Sequence, residues 1–205
     1  MVAAGVATGR MVALRGRPTE VIRDEVRKRY EHLFGPPSRT ARFKTKEDRV
    51  IEILKWDAAI HPDGVNFYAT LGSSEWEMPA GHGHRVEFFV GLLPAADDVA
   101  DSLAEVALHP ASGDKSLDYG HTITLAEPLW KGSSMRTFLV GSKGRMLIEP
   151  LELKHGQHVE FMQLIPLFPR EAEYLREKGG EEALMRQFEK ASVPYWDPQR
   201  REAAL

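Results

Sequence analysis

The sequence contains no cysteine. Disulfides, thiolate nucleophiles and cysteine-ligated zinc are excluded together, and the chain suits a reducing compartment. It also lacks a charge excess. Its 27 Lys and Arg stand against 30 Asp and Glu, a formal net charge of -3. A dedicated nucleic-acid binder carries a basic field to offset phosphates, and this composition supplies none. No stretch approaches the ~20 apolar residues that cross a bilayer. The opening segment, Met1 to Leu14, includes Gly5, Gly9 and Arg10 and lacks the apolar run of a secretory leader. We read residues 1–17 as a disordered lead, and expect a cytoplasmic protein with no nucleic-acid or membrane partner.

What is present is an ordinary globular balance, 42% apolar and 28% charged over 205 residues. That length can bury one sizeable core. Ile22, Val26, Tyr30 and Leu33 recur at helical spacing from Pro18-Thr19, and Gly35-Pro36-Pro37 is a hard stop. A basic loop is expected from Arg39 to Lys46. Val50 to Trp56 and Val65 to Leu71 read as strands joined through His61-Pro62-Asp63-Gly64, and Gly72 to Gly83 as a loop. Arg85 to Leu93 alternates, with Val86, Phe88, Val90 and Leu92 on one face and Arg85, Glu87 and Phe89 on the other.

Asp97 or Asp98 is placed to cap a helix that buries Val99, Leu103, Val106 and Ala107 and closes at His109-Pro110. Thr122 to Leu125, Arg136 to Val140 and Met146 to Ile148 read as short strands. Leu151 to Lys154 and His158 to Ile165 read as a hairpin about His155-Gly156-Gln157. Arg170 to Lys178 and Glu181 to Lys190 read as helices parted by Gly179-Gly180, followed by an irregular tail from Val193. This order predicts an α+β fold: a mixed, mainly antiparallel sheet with helices packed on it, as a single domain over residues 18–192 with a tail at 193–205.

Several clusters could carry chemistry. In Gly81-His82-Gly83-His84, two histidines on an extended chain can share a metal if His61, His121 or a carboxylate adds a third ligand. A polar turn leading into the strand is the simpler reading. Asp118 and His121 could form an acid–base pair, but no nucleophile accompanies them, and a turn explains the spacing. Lys143-Gly144-Arg145 lacks P-loop spacing and precedes a strand. His155 and His158 flank a hairpin turn, where exposed polar residues are expected. Arg39, Arg42, Lys44 and Lys46 surround Phe43 in what reads as a solvated loop. Trp56 and Trp130 read as core. Trp76, between Glu75 and Glu77, is either a satellite core residue or a binding anchor, with burial favoured. No catalytic residue, metal or cofactor is assigned.

Several segments taken in order carry a resemblance. They are Leu33-Phe34-Gly35-Pro36-Pro37, Ile51-Glu52-Ile53, Phe67-Tyr68-Ala69-Thr70-Leu71-Gly72-Ser73-Ser74, the Arg85 strand and Gly120-His121-Thr122-Ile123 before Glu127-Pro128-Leu129. Val159-Glu160-Phe161-Met162-Gln163-Leu164-Ile165-Pro166-Leu167 follows, ahead of a helix with Glu171, Gly179 and Leu184. In order and spacing the chain resembles the suppressor of fused domain family in its compact bacterial form, over roughly Ile22 to Ala191. Phe168-Pro169 departs from the more polar helix start of related sequences.

The resemblance implies a binding module. Animal members restrain a transcription factor in Hedgehog signalling and carry a further C-terminal domain, so none of their peptide-contacting residues is carried over. Bacterial members are thought to act as immunity proteins. The expectation is therefore a non-catalytic protein that sequesters a partner protein, such as a toxin domain. Glu75, Trp76, Glu77, His82 and His84 would form part of the partner surface. The alternatives are a regulator or scaffold without a toxin partner, or a metal-assisted hydrolase using His82, His84 and His121.

Overall fold

The structure is a computed structural model, and it describes residues 18–45, 48–59, 64–78, 83–112, 116–141 and 148–205. Helix α1 (Pro18–Phe34) leads into strands β1 (Arg39–Lys44), β2 (Val50–Trp56), β3 (Asn66–Leu71) and β4 (His84–Leu92). Helices α2 (Val99–Ala107) and α3 (His109–Ser112) follow, then β5 (Thr122–Thr124), β6 (Thr137–Val140), β7 (Leu151–Glu152) and β8 (His158–Leu167). Helices α4 (Pro169–Glu177) and α5 (Gly180–Lys190) complete the order.

The strands form one mixed sheet in the order β1-β2-β3-β4-β8-β6-β5, with β7 pairing β8 beside that path. The β4–β8 pair is parallel, and the other pairs are antiparallel. The α+β reading, the hairpin at His155-Gly156-Gln157 and the Gly179-Gly180 break all match the structure.

Period-two alternation distributes the side chains. Ile51, Ile53, Tyr68, Val86, Phe88, Val90, Met162 and Leu164 face α2, whose Val99, Leu103 and Val106 cover them. Leu54, Trp56, Phe67, Ala69, Leu71, Phe89 and Phe161 face α1, which contributes Ile22, Val26 and Tyr30. Burying each such aliphatic or aromatic side chain stabilises by roughly 1.5–3 kcal/mol. The expected face division of β4 is therefore correct, but both faces are covered, so Glu87 is buried as well.

Helices α4 and α5 pack Ala172, Leu175, Leu184, Met185 and Phe188 against Leu139, Ile165 and Leu167. The irregular tail returns to this third cluster. Arg200, 7% exposed, donates from both terminal nitrogens to the Glu171 carboxylate at 2.6 Å. Its guanidinium also donates to the Pro166 carbonyl at 3.0 Å and lies 4.9 Å from the Phe168 ring.

Three expectations need correction, and one gains a detail. The basic segment is not a loop through Lys44: residues 39–44 form β1, in register with β2, because alternate residues Ala41 and Phe43 pack on the core. Helix α2 does close just before His109-Pro110, with Leu108 as its C-cap, and the separate short α3 begins at His109; proline suits a first helical turn, where its missing N–H costs nothing. Asp98 is the N-cap of α2 but makes no side-chain capping bond. The neighbouring Asp97 instead pairs with Lys55 and accepts from Tyr68, each at 2.8 Å, and these partners hold its carboxyl below the usual range. Ile148 is buried without joining a strand, while Met146 lies outside the described residues.

Candidate partner-binding corner and histidine cluster

The β3–β4 connection is built on Glu87. Its carboxylate accepts from the Thr70 hydroxyl at 2.6 Å and the Gly72 N–H at 2.9 Å. It also accepts the Ser74 N–H at 3.0 Å and the Ser74 hydroxyl at 2.6 Å. Thr70 in turn accepts the Phe88 N–H at 2.8 Å, so its own proton points at Glu87. Burial pushes the Glu87 carboxyl up from its ordinary value, against the lowering effect of these donors. The result ties the end of β3 and the 3-10 turn Ser73–Glu75 to β4. Gly72 has φ of 119°, and a Cβ there would lie 2.6 Å from the Arg23 guanidinium, so conformation and space both call for glycine.

The predicted partner residues hang from this turn. Glu75 is mostly enclosed: Arg23 of α1 donates to it at 2.6 Å while also reaching the Val50 carbonyl. Trp76 is half-buried against the α2-side core, with the Arg49 guanidinium 4.6 Å from its ring centre. This combines burial with an exposed remainder. Glu77 is exposed and accepts the Gly83 N–H at 2.7 Å. The Met78 N–H donates to the His84 carbonyl at 2.9 Å, closing the approach to β4. His82 lies outside the described residues, as do His61 and the Lys143-Gly144-Arg145 segment.

His84 does not meet His121. Parallel pairing sets His84 beside His158 and Val86 beside Glu160. Alternation then puts His84, His158 and Glu160 on the α2-facing side. His84 Nδ1 and His158 Nε2 are 3.0 Å apart, and His158 Nε2 is 3.9 Å from a Glu160 oxygen. The expected exposed histidine at a hairpin turn is thus a partly covered first residue of β8. In the sequence His158 opens one expected strand and His84 directly precedes another. That is the one signal that could have paired them, and it needs the parallel register to be informative.

Asp118 and His121 form a turn and not an acid–base pair. The His121 N–H donates to the Asp118 carbonyl at 3.1 Å, and the Asp118 N–H donates to His121 Nδ1 at 3.2 Å. The Asp118 carboxylate accepts the Tyr119 N–H at 2.7 Å. Imidazole and carboxylate are therefore both engaged by the local backbone. Among the described residues, no helix is long and apolar enough to cross a membrane.

Comparisons with known proteins agree with this architecture. A SUFU (suppressor of fused) homologue from Neisseria gonorrhoeae FA 1090 superposes with a TM-score of 0.63 at 20% identity, covering 91% of this chain and 98% of its own. A Sufu–Fu complex crystal structure gives 0.58 at 14% identity, covering 90% of this chain and 91% of that one. Drosophila Suppressor of Fused gives 0.56 at 13% identity, covering 89% of this chain and 50% of that one. A search of curated proteins finds no match. These likenesses establish the fold. The sequence profile of the suppressor of fused protein (SUFU) matches residues 47–201, well over half of the chain, and on that match the protein belongs to the suppressor of fused family.

Proposed function

We propose that this protein is a non-catalytic module that binds and sequesters another protein, acting as an immunity protein against a toxin domain. Family membership supports the binding part, as does the likeness to a chain solved in a Sufu–Fu complex. The observation that carries the reading to particular residues is the Glu87 cradle. It fixes the corner before any partner arrives, which lowers the ordering cost of association. Glu77 and the uncovered part of Trp76 form the centre of the surface, Glu75 and His84 flank it, and His82 joins by its place in the sequence. Binding acts by steric occlusion, with charge complementarity setting association rate and specificity.

Capture from the native cell, identification of the bound protein and co-expression with that protein test the reading. A captured toxin whose growth arrest is relieved supports it. A captured protein that is not toxic instead assigns a regulator or scaffold. Trp76→Ala should weaken the purified complex by about tenfold or more, a loss typical of an interface anchor, while the circular dichroism spectrum is unchanged. Loss of the folded spectrum would make Trp76 a core residue and remove it from the surface.

A further inference from the structure

His84 and His158 belong to adjacent parallel strands and occupy matching register positions. Glu160 lies two residues along β8, on the same face. One ligand atom from each of the three residues lies within 4.8 Å of the others. A tetrahedral ion with bonds of about 2.1 Å to nitrogen and oxygen separates its ligand atoms by roughly 3.4 Å. The spacings of 3.0 Å between the imidazole nitrogens and 3.9 Å from His158 to Glu160 bracket that value. Small side-chain rotations suffice to seat an ion.

The set is chemically coherent. Two imidazoles and one carboxylate suit zinc and similar late divalent ions, and they leave a coordination position for water. All three ligands sit on strands, which hold geometry better than loops. Solvent reaches the site, since the His158 side chain is 30% exposed, while the Glu160 side chain is 11% exposed.

We infer that His84, His158 and Glu160 form a binding site for one zinc-type divalent cation. This goes beyond the protein-binding reading and does not depend on it. The ligand set also differs from the His82, His84 and His121 set expected from the sequence: His84 is shared, and His158 and Glu160 stand in place of His82 and His121.

The full chain, stripped with a chelator and dialysed, is titrated with Zn²⁺ alone against a chromophoric competitor. Binding of one equivalent is expected, with a rise in melting temperature, while Mg²⁺ produces neither. His84→Ala and His158→Ala should each weaken Zn²⁺ by more than roughly a hundredfold, beyond the loss of an outer-shell partner. His121→Ala should leave affinity unchanged. Co²⁺ added to the wild-type chain should give visible ligand-field bands that Zn²⁺ displaces, a readout independent of whether the variants fold. The inference is overturned if the wild-type chain shows no saturable Zn²⁺ binding, or if binding survives in folded His84→Ala and His158→Ala.

Discussion

Among the described residues two glutamates are fully buried, one on β4 and one on α4, and they are held in different ways. Glu171, in the first turn of α4, faces a guanidinium. Both terminal nitrogens of Arg200 donate to it at 2.6 Å, and the Phe168 and Ala203 N–H groups add bonds at 3.0 and 2.9 Å. Glu87, in the middle of β4, meets hydroxyl and amide donors from Thr70, Gly72 and Ser74. The first arrangement joins segments 29 residues apart and closes the C-terminal corner. The second joins β4 to the end of the adjacent strand, 13 to 17 residues away, and shapes the turn that presents Trp76 and Glu77. A matched ion pair fastens a distant segment, because neither charge can stay buried alone. A cradle of neutral donors fixes local shape and leaves the acid without a counter-charge.

The largest effect should come from breaking the ion pair. Arg200→Ala strands the Glu171 carboxylate in a dry site and removes the cation packed on Phe168 and Phe188. A loss of about 3–5 kcal/mol is expected from urea denaturation. Proteolysis at the tail should appear alongside it. A loss below about 1 kcal/mol would mean that the tail is an appendage, and the contrast between the corners would fail.

The amide variants sharpen the contrast at nearly constant volume. Glu171→Gln leaves the Arg200 cation buried without an anion and should cost about 3 kcal/mol. Glu87→Gln keeps a carbonyl oxygen for the Ser74 and Gly72 donors and disturbs chiefly the Thr70 contact, costing about 1 kcal/mol. Glu87→Ala abandons every donor in the cradle and should fall between them, near 2–3 kcal/mol. Equal losses for the two amide variants would erase the distinction.

Local pattern and long-range pairing were unequally legible in the sequence. The alternation of Val86 to Leu92, the stripe on α2 and the Gly179-Gly180 break were readable, because each depends on spacing within one segment. The basic run misled because its polar residues dominate the composition, whereas strand β1 is set by Ala41 and Phe43 on alternate positions. Glu75, Trp76 and Glu77 were correctly located on one turn. What organises that turn, Glu87, looked like an ordinary solvent-side strand residue, since a half-buried and a fully buried sheet share the same alternation. His158, Glu160 and Arg200 acquire their meaning from partners at least 29 residues away or across a parallel strand pair, and no local period encodes that.

The smallest effect expected is a pH dependence, and it tests the physical basis of the comparison. Burial raises the folded-state value of Glu87 above the ordinary 4.5. Between those two values the folded chain binds a proton that the unfolded chain has released. Stability from this group is therefore fully present below the unfolded value and declines as pH rises through the folded value, after which it is level. Glu87→Gln carries no titrating group there. The stability of the wild type minus that of Glu87→Gln should thus fall with rising pH across the window, measured by paired urea titrations in matched buffers. The Tyr30 hydroxyl, pushed far above its ordinary value by burial and then by the Glu87 charge, stays protonated throughout and does not distort the difference. A difference that rises with pH would mean that the donors outweigh burial. Glu87 would then be a stabilised anion like a paired carboxylate, and the two corners would differ in the identity of the donors but not in kind.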